Sequence, residues 1–146
     1  LADLINEARA GKTVQYWIDI IYQRYSPATA AIIVAPYDPA MLLPQLFVPP
    51  LLCAVAEDYV QQLHQMKQQG HDPVLLQAIA VEHGWMEWPL GDILAFGGKA
   101  AYVVGGWTTS LGHAAVMYHP AKLQVGAGTA ADWWVAVFSK VPSESV

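Results

Sequence analysis

The sequence has a single cysteine, Cys53, so no intrachain disulfide can form and the fold must stand on its core. Charge is sparse as well, at 13% of residues, and the seven Lys and Arg are scattered rather than gathered in a stripe. That excludes the electrostatic footprint of nucleic-acid binding and a polybasic membrane-surface helix. The charge-free stretch of residues 39–56 is interrupted by Pro44, Pro49 and Pro50, so no transmembrane segment is expected. No signal peptide opens the sequence, though a leader trimmed from the chain would leave the same start. Gly-x-Ser-x-Gly is absent, and so are His-Glu-x-x-His, internal repeats and low-complexity tracts.

What is present is apolar and aromatic. Of 146 residues, 55% are hydrophobic, with six Trp and seven Tyr. That length and composition describe one globular domain with a sizeable core. Leu1, Leu4, Ile5 and Ala8 repeat at helical spacing, and Gly11 closes that helix. Residues 13–25 are apolar on both faces and read as a buried helix or a strand. Residues 31–35 are apolar and partly β-branched, and read as a strand. Five prolines between positions 36 and 50 then punctuate an irregular segment whose only charge is Asp38. Such a segment is expected to pack on the domain or on a partner.

Leu52, Val55, Ala56, Tyr59, Leu63 and Met66 form a helical stripe, expected to end at Gly70. Asp72 and Pro73 read as the cap and first residue of another helix, which stops near Gly84. Residues 91–98 read as a glycine-bounded loop and residues 100–110 as a helix. Residues 123–128 and 133–138 are strand-like and form a hairpin. The order predicts an α+β fold with helices on a mostly antiparallel sheet. Cys53 is expected to be a small buried core residue. Gly126 and Gly128 are expected where another backbone packs closely on a strand.

The chemistry-bearing residues are few. His64 falls on the polar side of its helix, and His83 suits a helix C-terminus. His119 has no assigned role. His71, Asp92 and His113 each directly follow a glycine at an element boundary, from where a side chain can reach a cleft. Two imidazoles and a carboxylate would suit zinc with water in the fourth position. They would equally suit a hydrogen-bonded cluster without metal. Ser110 lies three residues before His113, where it reads as helix-end hydrogen bonding rather than as a nucleophile.

Leu4-Ile5-Asn6-Glu7-Ala8-Arg9, residues 56–63, His71, Gly91-Asp92-Ile93-Leu94-Ala95-Phe96-Gly97, Trp107 through His113, Val125-Gly126-Ala127-Gly128 and Trp133-Trp134-Val135-Ala136-Val137-Phe138 occur in the order of a known pattern. Together they resemble the CAP superfamily of cysteine-rich secretory, antigen 5 and pathogenesis-related proteins, in its bacterial form without disulfides. The resemblance covers residues 1–11 and about 51–139. It implies one domain over residues 1–146, a three-layer α-β-α sandwich, and secretion or display on the cell surface. It also implies a cleft holding His71, Asp92, His113, Ser110 and Tyr59, the last standing where the family has a His. His71, Asp92 and His113 would be the ligands of a divalent metal such as zinc. Departures from the pattern trim this site: Asp92 replaces Glu, and Ile93, Ala114, Val116 and Ala136 replace polar residues. Residues 12–50 exceed the family's usual connection.

The expected function is a non-enzymatic extracellular binding module for a lipid-like or other small ligand. Removing buried polar partners suits a site for apolar ligand parts better than one that stabilises charge. A zinc-dependent hydrolase using His71, Asp92 and His113 is the alternative. A module that forms a homodimer through residues 12–50 is another.

Overall fold

The computed structural model describes residues 1–67 and 70–139. In chain order the elements are α1 (Ala2–Arg9), α2 (Val14–Arg24), α3 (Pro27–Val34), α4 (Pro50–Gln65), α5 (Pro73–Glu82), β1 (Leu90–Phe96), α6 (Ala100–Thr109), α7 (Leu111–Met117), β2 (Gln124–Ala130) and β3 (Trp133–Ser139). The sheet is antiparallel throughout, in the order β1-β3-β2. This is the α+β architecture that the order of elements predicts.

Alternation along β3 builds the layers, because successive side chains leave opposite faces. Val135 and Val137, with Leu94 of β1, pack against α4 and α5. Ala136 and Phe138, with Ile93 and Val125, pack against residues of α1, α2, α6 and α7. The sheet is thus the middle of three layers. The glycines of β2 set the spacing of one of them. A Cβ on Gly126 would stand 2.3 Å from the Leu52 carbonyl oxygen, and one on Gly128 2.6 Å from the Glu57 nitrogen. Helix α4 therefore lies with its backbone directly on the strand, the close packing expected for those glycines.

Several elements differ from their sequence reading. Residues 13–25 resolve as the helix α2. Residues 31–35 are not a strand: they fall largely in α3, which starts where Ser26 accepts from the Thr29 N–H and Pro27 occupies the first turn. The β-branched run Ile32-Ile33-Val34 is overridden by that start signal. Residues 91–98 are not a loop, since most of them form β1. Helix α4 ends at Gln65 rather than at Gly70, with Lys67 taking the left-handed conformation at φ 54°. Cys53 is half-buried rather than fully in the core. The hairpin turn is shorter than the sequence reading, with Ala130 paired to Trp133 and Ala131 at φ 53°. Asp72 caps α5 as expected, accepting from the Leu75 N–H at 3.1 Å. The proline-rich segment packs on the domain through Leu43 and Leu46 but leaves Met41, Leu42 and Phe47 exposed.

The glycines give a direct test. Gly126→Ala should cost about 3 kcal/mol or more, since a methyl there must displace helix backbone rather than a side chain. Gly105→Ala meets nothing within 4 Å in α6 and should stabilise the fold by about 0.5–1 kcal/mol. Urea unfolding of both variants checks the pair.

Candidate functional site

Three elements bring the polar residues together around β1. As an edge strand, β1 presents Asp92 on the same face as Leu94, toward α4. Tyr59, fully buried in α4, donates its hydroxyl to Asp92 Oδ2 at 3.3 Å and accepts from the Asp72 N–H at 2.9 Å. His71, just before the α5 cap, places Nδ1 2.7 Å from the same carboxylate oxygen. The Asp92 side chain is only 8% exposed and that of His71 50%. A buried carboxylate is costly unless hydrogen-bonded, and Asp92 meets that cost with two donors on one oxygen. Burial, first of all, pushes the Tyr59 hydroxyl well above its ordinary range, and the Asp92 charge adds to this. The phenol therefore stays a neutral donor.

The other half of the site comes from the opposite layer. Ser110 is the junction between α6 and α7. His113 lies just beyond the end of α6, as expected, but inside α7, a helix that the sequence reading missed. Its Nδ1 lies 2.8 Å from Ser110 Oγ, so the two form a pair where only helix-end bonding was expected. Burial lowers the His113 pKa from 6.5, and the nearby charges of His71 and Arg24 lower it further. Ser110 and His113 form the polar end of a pocket of about 210 Å³, otherwise lined by residues such as Leu94, Phe96, Tyr102, Val103 and Trp107. Trp107 donates its indole N–H to the Leu94 carbonyl at 3.0 Å, which fixes α6 against β1. On the other side of Asp92 lies a second hollow of about 280 Å³, between Pro73, Trp88 and Leu90.

A divalent ion needs three or four donors facing one point. Here Asp92 Oδ2 is shared by His71 and Tyr59, and His113 Nδ1 is held by Ser110. Among the described residues, no three His, Cys, Asp or Glu side chains are grouped around a common point. What these residues form is a hydrogen-bonded cluster beside an apolar pocket.

The remaining histidines lie elsewhere. His83 contacts Asp58 at 3.0 Å. The Gln62 amide, then His83, hold the Asp58 carboxyl below its usual range. His64 packs edge-on against Trp133. His119 packs at a tilt against Trp17 and accepts from the Ala121 N–H through Nδ1. Sequence reasoning did not single out Arg24, whose charge reaches His113 from α2. No local motif marks it, because the contact spans 88 residues.

No protein-family model matches the chain, and no curated protein matches it. Solved structures do. An extracellular protein containing an SCP domain from Bacillus anthracis str. Ames superposes with a TM-score of 0.62 at 19% identity over 75% of this chain. A cysteine-rich secretory protein from Staphylococcus aureus gives 0.59 at 9% identity over 90% of this chain. An outer surface protein of Borrelia burgdorferi gives 0.55 at 22% identity, covering 67% of this chain and 79% of its own length. The matches span 37% and 40% of the Bacillus and Staphylococcus chains. Among the described residues, no helix is long and apolar enough to cross a membrane.

The depressed His113 pKa has a testable sign. The unfolded chain takes up this proton at a higher pH than the folded one does. Its contribution to stability is therefore present above pH 6.5 and is lost as pH falls through the folded value. Titration of the His113 ring by NMR should show a midpoint below 6.5, and His113→Gln should flatten that part of the stability curve. The three-layer sandwich, the order of its motifs and these superpositions together give the chain the fold of the CAP superfamily's SCP domain.

Proposed function

We propose that the domain is a secreted or cell-surface binding module whose cleft takes a small ligand, lipid-like in having an apolar body and a polar end. The observation that carries this reading is the pocket of about 210 Å³ with aromatic and aliphatic walls and the Ser110–His113 pair at one end. The Bacillus protein is extracellular and the Borrelia protein is an outer surface protein, which supports the placement. The polar cluster suits recognition better than charge stabilisation, because its one carboxylate is already committed to His71 and Tyr59.

Magnitudes set what the ligand must provide. At ~30 Å³ per water-sized group, the pocket holds about seven chain carbons. Each buried methylene gives about 0.8 kcal/mol, so the gross gain is about 6 kcal/mol. Lost translational and rotational freedom costs about 4 kcal/mol or more. The balance is weaker than millimolar binding, so a useful ligand needs a polar anchor as well.

Gly106 lines the pocket within α6, and a Cβ there meets nothing within 4 Å. Gly106→Leu should fill the pocket while raising helix stability by about 0.5–1 kcal/mol. Native mass spectrometry after incubation with lipids should show a bound species on the wild type. The variant should lose it with its melting temperature kept or raised. No bound species on the wild type, with His71→Ala and His113→Ala indistinguishable from it, would overturn the reading.

A second reading adds a contact between copies through residues 12–50. It is favoured by Ile32, Met41, Leu42 and Phe47, four large apolar side chains of this one segment that stay exposed. Sedimentation should show a dimer that Phe47→Asp with Leu42→Asp dissociates. A wild-type monomer at high concentration removes this reading.

A further inference from the structure

Three features of the cleft point to one occupant. The first is a charge. Arg24 makes no ion pair among the described residues, in a protein whose net charge is −5. It is exposed, its Nη1 donates a long bond of 3.4 Å to the Gly112 carbonyl, and its guanidinium carbon is 3.9 Å from where a Cβ on Gly112 would stand. Its other contact is the Tyr25 ring. Gly112 is the neighbour of His113, so a full positive charge sits beside the polar end of the pocket. The carboxylate of the cleft, Asp92, is engaged by His71 and Tyr59.

The second feature is a free strand edge. In the β1–β3 ladder the Gly97 N–H bonds the Asp132 carbonyl, which places the odd-numbered residues of β1 toward β3. The backbone groups of Leu90, Asp92, Leu94 and Phe96 therefore face away from the sheet. Leu94 has its carbonyl capped by the Trp107 indole. Among the described residues, no backbone partner outside the ladder caps Leu90 or Asp92. An uncapped edge is a template for an added strand.

The third is the size and spacing of the hollows. One lies beside Leu90 and Asp92 and the other beside Leu94 and Phe96. A volume of about 210 Å³ suits one large side chain and is too small for a long acyl chain. The indole cap at Leu94 interrupts strand pairing at that pocket. A polypeptide that ends there needs no pairing beyond it, and its terminal carboxylate meets Arg24.

We propose that the cleft captures the C-terminus of a partner polypeptide: the last residue, large and apolar, fills the pocket of Leu94, Phe96, Tyr102 and Trp107, its carboxylate is held by Arg24 and Ser110, and the preceding residues pair with the β1 edge at Asp92 and Leu90. This rests on the cleft being a binding site and names what it binds. A guanidinium fork matches a carboxylate in two hydrogen bonds, and its single charge balances a monoanion. Backbone pairing supplies affinity that the small pocket lacks, and the pocket supplies the choice of terminal residue.

The test uses the whole domain and three probes: a hexapeptide ending in Thr-Val-Phe with a free carboxylate, the same peptide as its C-terminal amide, and decanoate. Calorimetry should find the acid bound at least about tenfold tighter than the amide, as a charge-assisted hydrogen bond is worth. Arg24→Gln should remove that preference and leave amide binding unchanged. Because Arg24 is exposed, the variant should keep the wild-type melting temperature. Amide NMR signals of Leu90 and Asp92 should shift with peptide. Equal binding of acid and amide, a preference that survives Arg24→Gln, or signals of Leu90 and Asp92 that do not move would each overturn the proposal. Binding of decanoate alone overturns it too, but leaves the small-ligand reading standing. Failure of all three probes overturns both.

Discussion

The guanidinium of Arg9 holds three distant segments in one place. It is 1% exposed and makes no ion pair among the described residues. Instead Nε and Nη2 donate to the Pro44 carbonyl, and Nη1 donates to the carbonyls of Met117 and His119. Burial pushes its pKa down to about 10, which still leaves it charged at neutral pH. A buried charge of this kind is tolerated only when its donors are met. Its presence therefore requires α1, the extended segment at Pro44 and the end of α7 to be in place together. Asn6, one turn earlier, ties the same segment by exchanging two hydrogen bonds with Leu46. Trp17 then fixes α2 to α7 by donating to the Ala115 carbonyl.

This constraint reaches the site through α7. His113 and Ser110 belong to the layer that Arg9 organises, whereas Tyr59 and His71 belong to the layer that rests on Gly126 and Gly128. Residues of both layers come together around the edge strand β1. The cleft is thus a seam between two separately supported halves. The half with Asp92 is internally satisfied, and the half with His113 faces a pocket. The Asp92 carboxylate is engaged by Tyr59 and His71.

Where one strong local signal governed an element, the sequence revealed it. The stripe from Leu52 to Leu63, the Asp72-Pro73 start of α5 and the close approach at Gly126 and Gly128 were all legible. Elements set by tertiary context were not. Helix α3 has a β-branched sequence but a Ser26-Pro27 start, and the start won. Strand β1 begins and ends in glycine-rich sequence, and only its pairing with β3 makes it a strand. Helix α7 has only seven residues and is supported by Trp17 and Arg9 from far away in the chain. At the site, the chemistry of His71, Asp92 and Tyr59 could be anticipated from the family pattern. The pairing of Ser110 with His113 and the charge of Arg24 needed the fold, because the first depends on α7 and the second on α2 lying beside it.

One buried cation, Arg9, couples α1, the segment at Pro44 and α7, and so places half of the cleft. Hydrogen exchange of Arg9→Lys measures this most directly, since lysine keeps the charge but cannot reach three carbonyls in a planar fork. Protection should fall together in α1, residues 43–46 and α7, while α4 and α5 keep theirs. Loss confined to α1, with α7 as protected as in the wild type, would contradict it.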